Sequence, residues 1–292
     1  MIKEQKKVLL IGADGQLGSD LRKILDNHKL LCPLINELDV TQFSRVREYI
    51  DKNLPDLIIN TAAFHQVDEC EKDIEKSFLV NTFAVKNLAE ICKEKDITLT
   101  HISTDYVFGL DEKRKTPYAE TDLPGPVNIY GISKLAGEYC IRYALKKYFI
   151  IRPAALFGVT GAKGKGGNFI ETMLRLAKEK SEVRVKNDEF ASPTYTKELA
   201  EVIAELIKTE NYGLYHITSQ GGCSWYEFAK KIFELNNTRI NCQPVSSEEF
   251  PTVARRPRYS VLENKHLKEI GLDKMSYWED ALKKYLQEKG HI

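Results

Sequence analysis

Residues 7–18 read Lys7-Val8-Leu9-Leu10-Ile11-Gly12-Ala13-Asp14-Gly15-Gln16-Leu17-Gly18. The apolar run Val8–Ile11 is too short for a helix and reads as a buried strand. The glycines that follow stand at G-x-x-G-x-x-G spacing and open a helix at Gln16. Glycine allows a tight turn and lets a diphosphate approach the backbone, while the helix N-terminus offers free N–H groups and a positive dipole end. The usual dinucleotide fingerprint is spaced G-x-G-x-x-G. A glycine triplet alone is an ordinary turn; its place after the first strand makes Gly12, Gly15 and Gly18 candidates for cofactor binding.

Outward from this turn, short apolar runs alternate with amphipathic stretches. Strands are expected at Val8–Ile11, Lys29–Cys32, Leu57–Asn60, Thr98–Ile102 and Phe149–Ile151. Helices are expected at Gln16–Asp26, Phe43–Asp51, Lys76–Lys93 and Ile129–Tyr143. That alternation implies a parallel sheet covered on both faces, a doubly wound, Rossmann-like α/β domain over 1–153. Past residue 152 the rhythm changes. Helices are expected near Phe169–Lys178, Lys197–Lys208, Trp225–Leu235 and Tyr277–Gln287, with strands at Val183–Lys186 and 214–218. The expectation is a smaller C-terminal α/β substrate lobe over 154–292, with segments near 190–219 returning to the main domain.

The chain has 292 residues, 42% hydrophobic and 29% charged, which suits an ordinary globular protein. Its 43 basic and 42 acidic residues leave a formal charge of +1, giving no long-range field for nucleic acid or an anionic membrane. No apolar stretch is long enough for a signal-peptide core or a membrane span. Six scattered cysteines lack metal or disulfide spacing and read as packing residues in a reducing cytoplasm. The histidines form no metal-binding cluster, so no metal is expected. His101 and His216 fall inside strands, where packing or hydrogen bonding is expected rather than ligation.

Two further constellations carry chemistry. Tyr130 and Lys134 stand at i and i+4, on one helical face. An ammonium beside a phenol favours the phenolate, which eases proton donation to a carbonyl near neutral pH. Ile102–Phe108, ISTDYVF, closes the fourth strand. Ligands of open α/β sheets bind outside the carboxyl ends of the strands, so Thr104 and Asp105 would face the cleft. A hydroxyl there can hydrogen-bond a substrate carbonyl.

Together these motifs resemble the extended short-chain dehydrogenase/reductase family, and within it the dTDP-4-dehydrorhamnose reductases, over nearly the whole chain. The resemblance is carried by GADGQLG (12–18), NTAAFHQVDECE (60–71), ISTDYVF (102–108), YGISKLAGE (130–138), GNFIETMLRLAKE (167–179), ASPT (191–194), CSWYEFA (223–229) and ARRPRYSVL (254–262). It implies NADPH or NADH as cofactor and a nucleotide-linked 4-keto deoxysugar as substrate. Gly15, Gln16 and Leu17 would hold the cofactor diphosphate. Asp39 and Val40 would border the adenine, and Ala62, Ala63, Phe64 and His65 would line the cofactor. Tyr130 would donate the proton, Lys134 would lower its pKa and hold the nicotinamide ribose, and Thr104 would bind the keto oxygen. Asp105, Val67 and Asp68 would sit at the sugar. Asn168 and Arg256 would take the substrate diphosphate, for which a guanidinium's forked donors are suited. A homodimer is also implied.

The sequence departs from that pattern at Arg152–Gly158, where Ala155 occupies the position of a tryptophan that walls the sugar. Losing an aromatic wall leaves space, so the exact sugar stays open. Phe64-His65 replaces a His-Thr pair. Leu34–Glu37 offers neither a clear acidic partner for a ribose 2′-hydroxyl nor an arginine for a 2′-phosphate, so both cofactors are expected, with a lean to NADPH. Two other readings share the motifs: a sugar-nucleotide epimerase or dehydratase, and a non-catalytic NADP-binding partner such as the β subunit of methionine adenosyltransferase. Lys163 and Lys165, in the glycine-rich stretch 161–168, read as part of a surface connection or a closure over substrate phosphates.

Overall fold

A computed structural model of the chain describes residues 5–161 and 167–292; Lys163 and Lys165 lie outside the described residues. The first half runs β1 (Lys7–Ile11), α1 (Gln16–Ile24), β2 (Lys29–Leu31), α2 (Phe43–Asn53), β3 (Leu57–Asn60), α3 (Val67–Lys72) and α4 (Ile74–Phe78). A π-helical turn (Leu79–Phe83) leads into α5 (Ala84–Lys95) and β4 (Thr98–Ile102). After a 3-10 turn (Asp105–Val107) come α6 (Ile129–Ala144) and β5 (Tyr148–Arg152). The second half runs β6 (Leu156–Phe157), α7 (Phe169–Glu179), β7 (Glu182–Lys186), β8 (Phe190–Ala191), β9 (Thr194–Tyr195), α8 (Thr196–Leu206) and β10 (Gly213–His216). It closes with β11 (Cys223–Ser224), α9 (Trp225–Leu235), β12 (Asn241–Val245), α10 (Lys265–Glu269) and α11 (Trp278–Glu288).

Six strands form one sheet in the order β2-β1-β3-β4-β5-β10, and every pairing is parallel. Successive strand residues point to opposite faces, which explains why the strand sequences are apolar throughout. Val8 and Leu10 face α1 and α8, packing with Leu17, Leu21, Leu199 and Ile203. Leu9 and Ile58 face the other way, against Val46 of α2, Leu88 of α5 and Ile141 of α6. The fold is the doubly wound, Rossmann-like arrangement expected from the alternation. The winding reverses between β1 and β3, and such a switch point opens a crevice beyond the carboxyl ends of those strands. A separate apolar cluster around Phe157, Ile170, Phe228, Trp278 and Tyr285 supports the second half.

Several local features differ from the sequence reading. The single helix expected over Lys76–Lys93 is a composite that starts at Ile74, widens into the π turn, and continues to Lys95. The π turn directs the Asn81 side chain onto Phe64: its Oδ1 accepts from the Phe64 N–H at 2.9 Å and its Nδ2 donates to the Phe64 carbonyl at 3.0 Å. α3 carries one buried residue, Cys70, so it has little apolar periodicity to read. β12 pairs in parallel with β7 in a two-stranded ribbon. Its sequence, NCQPV, includes Pro244, tolerable only where a strand needs no ladder bond on one side.

Candidate active site

The glycine turn sits at the switch point. Gly12 has φ +81°, and a Cβ there would lie 2.4 Å from the Thr61 hydroxyl, which itself donates to the Ile11 carbonyl at 2.8 Å. The turn is therefore pressed against the end of β3 and tolerates no side chain. Gly15 is the N-cap of α1, and the first turn has neither a side-chain cap nor an acidic residue. Its opening N–H groups remain for an anion, and a Cβ on Gly15 would meet only the Gly12 carbonyl, at 3.3 Å. This cradle fits a dinucleotide diphosphate. Gln16 reaches across to β6, its Nε2 donating to the Leu156 carbonyl at 3.0 Å.

The start of α6 places the phenol. Asn128 caps it, accepting from the Gly131 N–H at 2.8 Å, and donates to the Arg255 carbonyl at 2.8 Å. A Cβ on Gly131 would fall 2.1 Å from the Tyr106 carbonyl, so glycine is what lets the helix close onto the turn after β4. The approach brings Tyr130 edge-on to Tyr106, ring centroids 5.9 Å apart, with its phenol in the same cleft as the Thr104 hydroxyl. Burial pushes the Tyr130 phenol above its ordinary range, and the Thr104 hydroxyl opposes that rise.

Lys134 is buried beside them. The spacing predicted an ammonium that lowers the phenol, but burial pushes the Lys134 amine down to about 7, against the opposing charge of Glu138. Its Nζ donates to the Ile102 carbonyl at 2.6 Å and lies 3.2 Å from His101 Nε2. In this state the phenol stays raised, with Thr104 rather than Lys134 opposing the rise, because an amine drawn into a dry interior loses charge.

Asp105 is also buried, and desolvation pushes its carboxyl up to about 6 despite hydrogen bonds from Ser260 and Thr104. The Ser260 hydroxyl donates to Asp105 Oδ2 at 2.6 Å. Beneath the site, Arg152 of β5 forms a bidentate pair with Glu138 of α6, at 2.9 and 2.6 Å. Both side chains are 1% exposed. His216 is buried beside Arg152 and bonded to the Tyr118 carbonyl at 3.0 Å.

The candidate residues converge unevenly. A cleft of about 530 Å³ is lined by Gly15, Gln16, Leu17, Gly18, Ala63, His65, Val67, Thr104, Asp105, Tyr130, Lys134, Ala155 and Asn168. Gly12, Asp39, Val40, Ala62, Phe64, Asp68 and Arg256 stand outside its lining. Asp39 accepts from the Thr41 N–H and hydroxyl, and Val40 is packed into the core. Ala62 donates to Asn60 Oδ1 at 3.1 Å, and the Phe64 ring lies under the Lys76 ammonium.

Two residues expected at the substrate diphosphate are engaged otherwise. Asn168 caps α7 and spends its amide on the Gly158 carbonyl and the Tyr285 hydroxyl. Arg256 pairs with Asp68 at 3.0 Å, so two expected substrate residues hold each other; its Nη1 is buried without a partner among the described residues. Ala155 lines the cleft with φ +42°, a left-handed conformation unusual for a residue with a Cβ.

Sequence reasoning gave no role to Tyr106, Ser260, Glu189, Phe169 or Trp225, which also line the cleft. Tyr106, Phe169, Trp225 and Ser260 lay inside quoted motifs, so their signal was at hand. Glu189, just before β8, lay outside all of them, and nothing local marks it.

The model of the RmlD substrate binding domain matches residues 6–290. The chain is 39% identical over 285 residues to the spore coat polysaccharide biosynthesis protein SpsK of Bacillus subtilis, covering 97% of this chain and 98% of that one. It is 35% identical over 293 residues to a dTDP-4-dehydrorhamnose reductase of Aggregatibacter actinomycetemcomitans, covering 95% and 97%. The crystal structure of dTDP-4-dehydrorhamnose reductase from Bacillus anthracis in complex with NADP superposes with a TM-score of 0.92 at 39% identity, covering 98% of this chain and 100% of that one.

Proposed function

The chain belongs to the RmlD substrate binding domain family, and on that premise we propose that it reduces the 4-keto group of a nucleotide-linked deoxysugar with NADPH or NADH, converting dTDP-4-dehydrorhamnose to dTDP-L-rhamnose. The observation that carries this reading is the Thr104–Tyr130 hydroxyl pair, set in the same cleft as a glycine cradle that fits a diphosphate.

The nicotinamide cofactor supplies a hydride when bound. Gly12, Gly15, Gln16, Leu17 and Gly18 would hold its diphosphate, Asp39 and Val40 would border its adenine, and Ala62, Ala63, Phe64 and His65 would line its path. The keto oxygen accepts hydrogen bonds from Thr104 and Tyr130. Tyr130 would give its phenolic proton to the keto oxygen as the carbonyl is reduced to the alcohol. Donors already placed where negative charge develops stabilise that transition state without reorganisation. Lys134 would hold the nicotinamide ribose and, once protonated, would stabilise the phenolate left behind. Asp105 and Val67 contact the sugar, and Ala155 leaves room beside it. Asn168 and the Asp68–Arg256 pair border the nucleotide diphosphate.

The division into a dinucleotide-binding domain over 1–153 and a substrate lobe over 154–292 belongs to the same reading. It is supported by β10 joining the main sheet and α8 packing on α1, which return part of the region near 190–219 to the first domain. Among the described residues no helix is long and apolar enough to cross a membrane. Six free cysteines support a cytoplasmic setting. A homodimer is proposed on family resemblance alone.

The test is oxidation of NADPH and of NADH against a panel of nucleotide-linked 4-keto sugars, with the products identified. One cofactor consumed per sugar reduced, greatest with dTDP-4-dehydrorhamnose, is the expected result. Sugar conversion without net cofactor consumption would instead assign an epimerase or dehydratase.

A further inference from the structure

Behind the catalytic lysine lies a closed chain of hydrogen bonds whose proton positions can be deduced from one end. Asn60 ends β3 and His101 sits opposite it on β4, in register. Both are buried, as is Lys134. The Ala62 N–H donates to Asn60 Oδ1 at 3.1 Å, which fixes the carboxamide and turns its Nδ2 toward His101 Nδ1, 3.3 Å away. An amide nitrogen only donates, so Nδ1 must be the bare nitrogen and the ring proton must sit on Nε2. Nε2 in turn faces Lys134 Nζ at 3.2 Å. A neutral amine has a lone pair for that proton; an ammonium has none.

The network is therefore complete only while Lys134 is neutral. Protonating Lys134 requires the ring to move its proton to Nδ1 and the Asn60 carboxamide to turn over. That turn takes the acceptor away from the Ala62 N–H, at the start of the loop leading to Ala63 and His65 in the cleft. We propose that Asn60 and His101 act as a tautomer lock on Lys134: they are positioning residues that favour the uncharged amine in the cofactor-free protein and set the pH at which Lys134 gains the proton its role requires.

The groups facing Lys134 agree with this. Glu138, one turn along the same helix, favours the charged amine, but its carboxylate is committed to Arg152 of β5 and to Ser103, just past β4. Tyr130 on the same helix is a neutral phenol, and Asp105 is bound by Ser260 and Thr104. Burial drives both Lys134 and His101 toward their neutral forms. An aspartate in place of Asn60 would accept from Ala62 and from Nδ1–H together, leaving the Nε2 lone pair for an ammonium. Asparagine in the orienting position selects the opposite tautomer.

The kinetic part of this inference rests on the proposed reductase activity, whereas the tautomer does not. In the full-length, cofactor-free protein at pH 8, nitrogen-15 spectra of His101 should show a neutral ring protonated at Nε2. A ring protonated at Nδ1, or at both nitrogens, overturns the lock. With NADPH and dTDP-4-dehydrorhamnose, Asn60→Asp should move the alkaline limb of the kcat profile up by about one pH unit or more, equivalent to tenfold in Lys134 protonation. His101→Gln, whose amide can present oxygen to the ammonium, should move it the same way and serves if Asn60→Asp does not fold. Reduced kcat at every pH with the limb unmoved overturns the proposal. If the wild-type protein turns over no keto sugar, the reductase reading fails while the ring spectra still decide the lock.

Discussion

Lys134 Nζ donates to the backbone carbonyl of Ile102 at 2.6 Å from a side chain with no exposure to solvent. Burying an amine this way costs stability. Its pKa falls from the unfolded value of 10.5 to about 7, so between those values the unfolded chain binds more protons and stability rises with pH. Below about pH 7 the full cost is present. Lys134→Met should abolish turnover yet raise the melting temperature, more at pH 6 than at pH 10. Equal or lower stability at pH 6 would show that the amine is not held at a cost.

The Arg152–Glu138 pair is fully desolvated and joins β5 to α6 beneath Tyr130 and Lys134. Removing one partner leaves a buried charge uncompensated, a loss of about 3–5 kcal/mol. Removing both with apolar residues of similar size costs far less. Chemical denaturation should find Arg152→Met severely destabilising and the double variant Arg152→Met, Glu138→Leu closer to wild type. Additive losses would mean the two side chains do not act as a pair.

Asp105 is held up at about 6 by desolvation, with the Ser260 hydroxyl favouring the ionised form. The folded state thus holds this proton more tightly than the unfolded chain, and stability declines as pH rises from 3.8 to about 6. Ser260→Ala removes a donor to the carboxylate, so the carboxyl midpoint should climb and the declining window should extend to higher pH. A carbon-13 titration of Asp105 reads this directly. A midpoint that stays or falls would remove Ser260 from the account.

The parts of the fold legible in the sequence are those where one period dominates locally. Val8–Ile11 and Leu57–Asn60 are buried on both faces, and their unbroken apolar runs announce it. Tyr130 and Lys134 share a helix, so their spacing fixes their common face. The contacts that tune them were not legible. His101 meets Lys134 across 33 positions and Asn60 across 41, and only sheet register joins them. Asp68 and Arg256 are 188 positions apart and pair through packing of the last third of the chain on α3. The π turn at Leu79–Phe83 carries Asn81, whose bonds to the Phe64 backbone are tertiary contacts with no periodic trace.

In the proposed reaction Tyr130 delivers the proton as a sugar carbonyl is reduced. Single-turnover oxidation of bound NADPH by dTDP-4-dehydrorhamnose, compared between wild type and Tyr130→Phe, isolates that step. A loss of a positioned general acid predicts a fall of about 10²–10⁴-fold in rate with cofactor affinity retained. A Tyr130→Phe protein that oxidises NADPH at near wild-type rate would contradict the account.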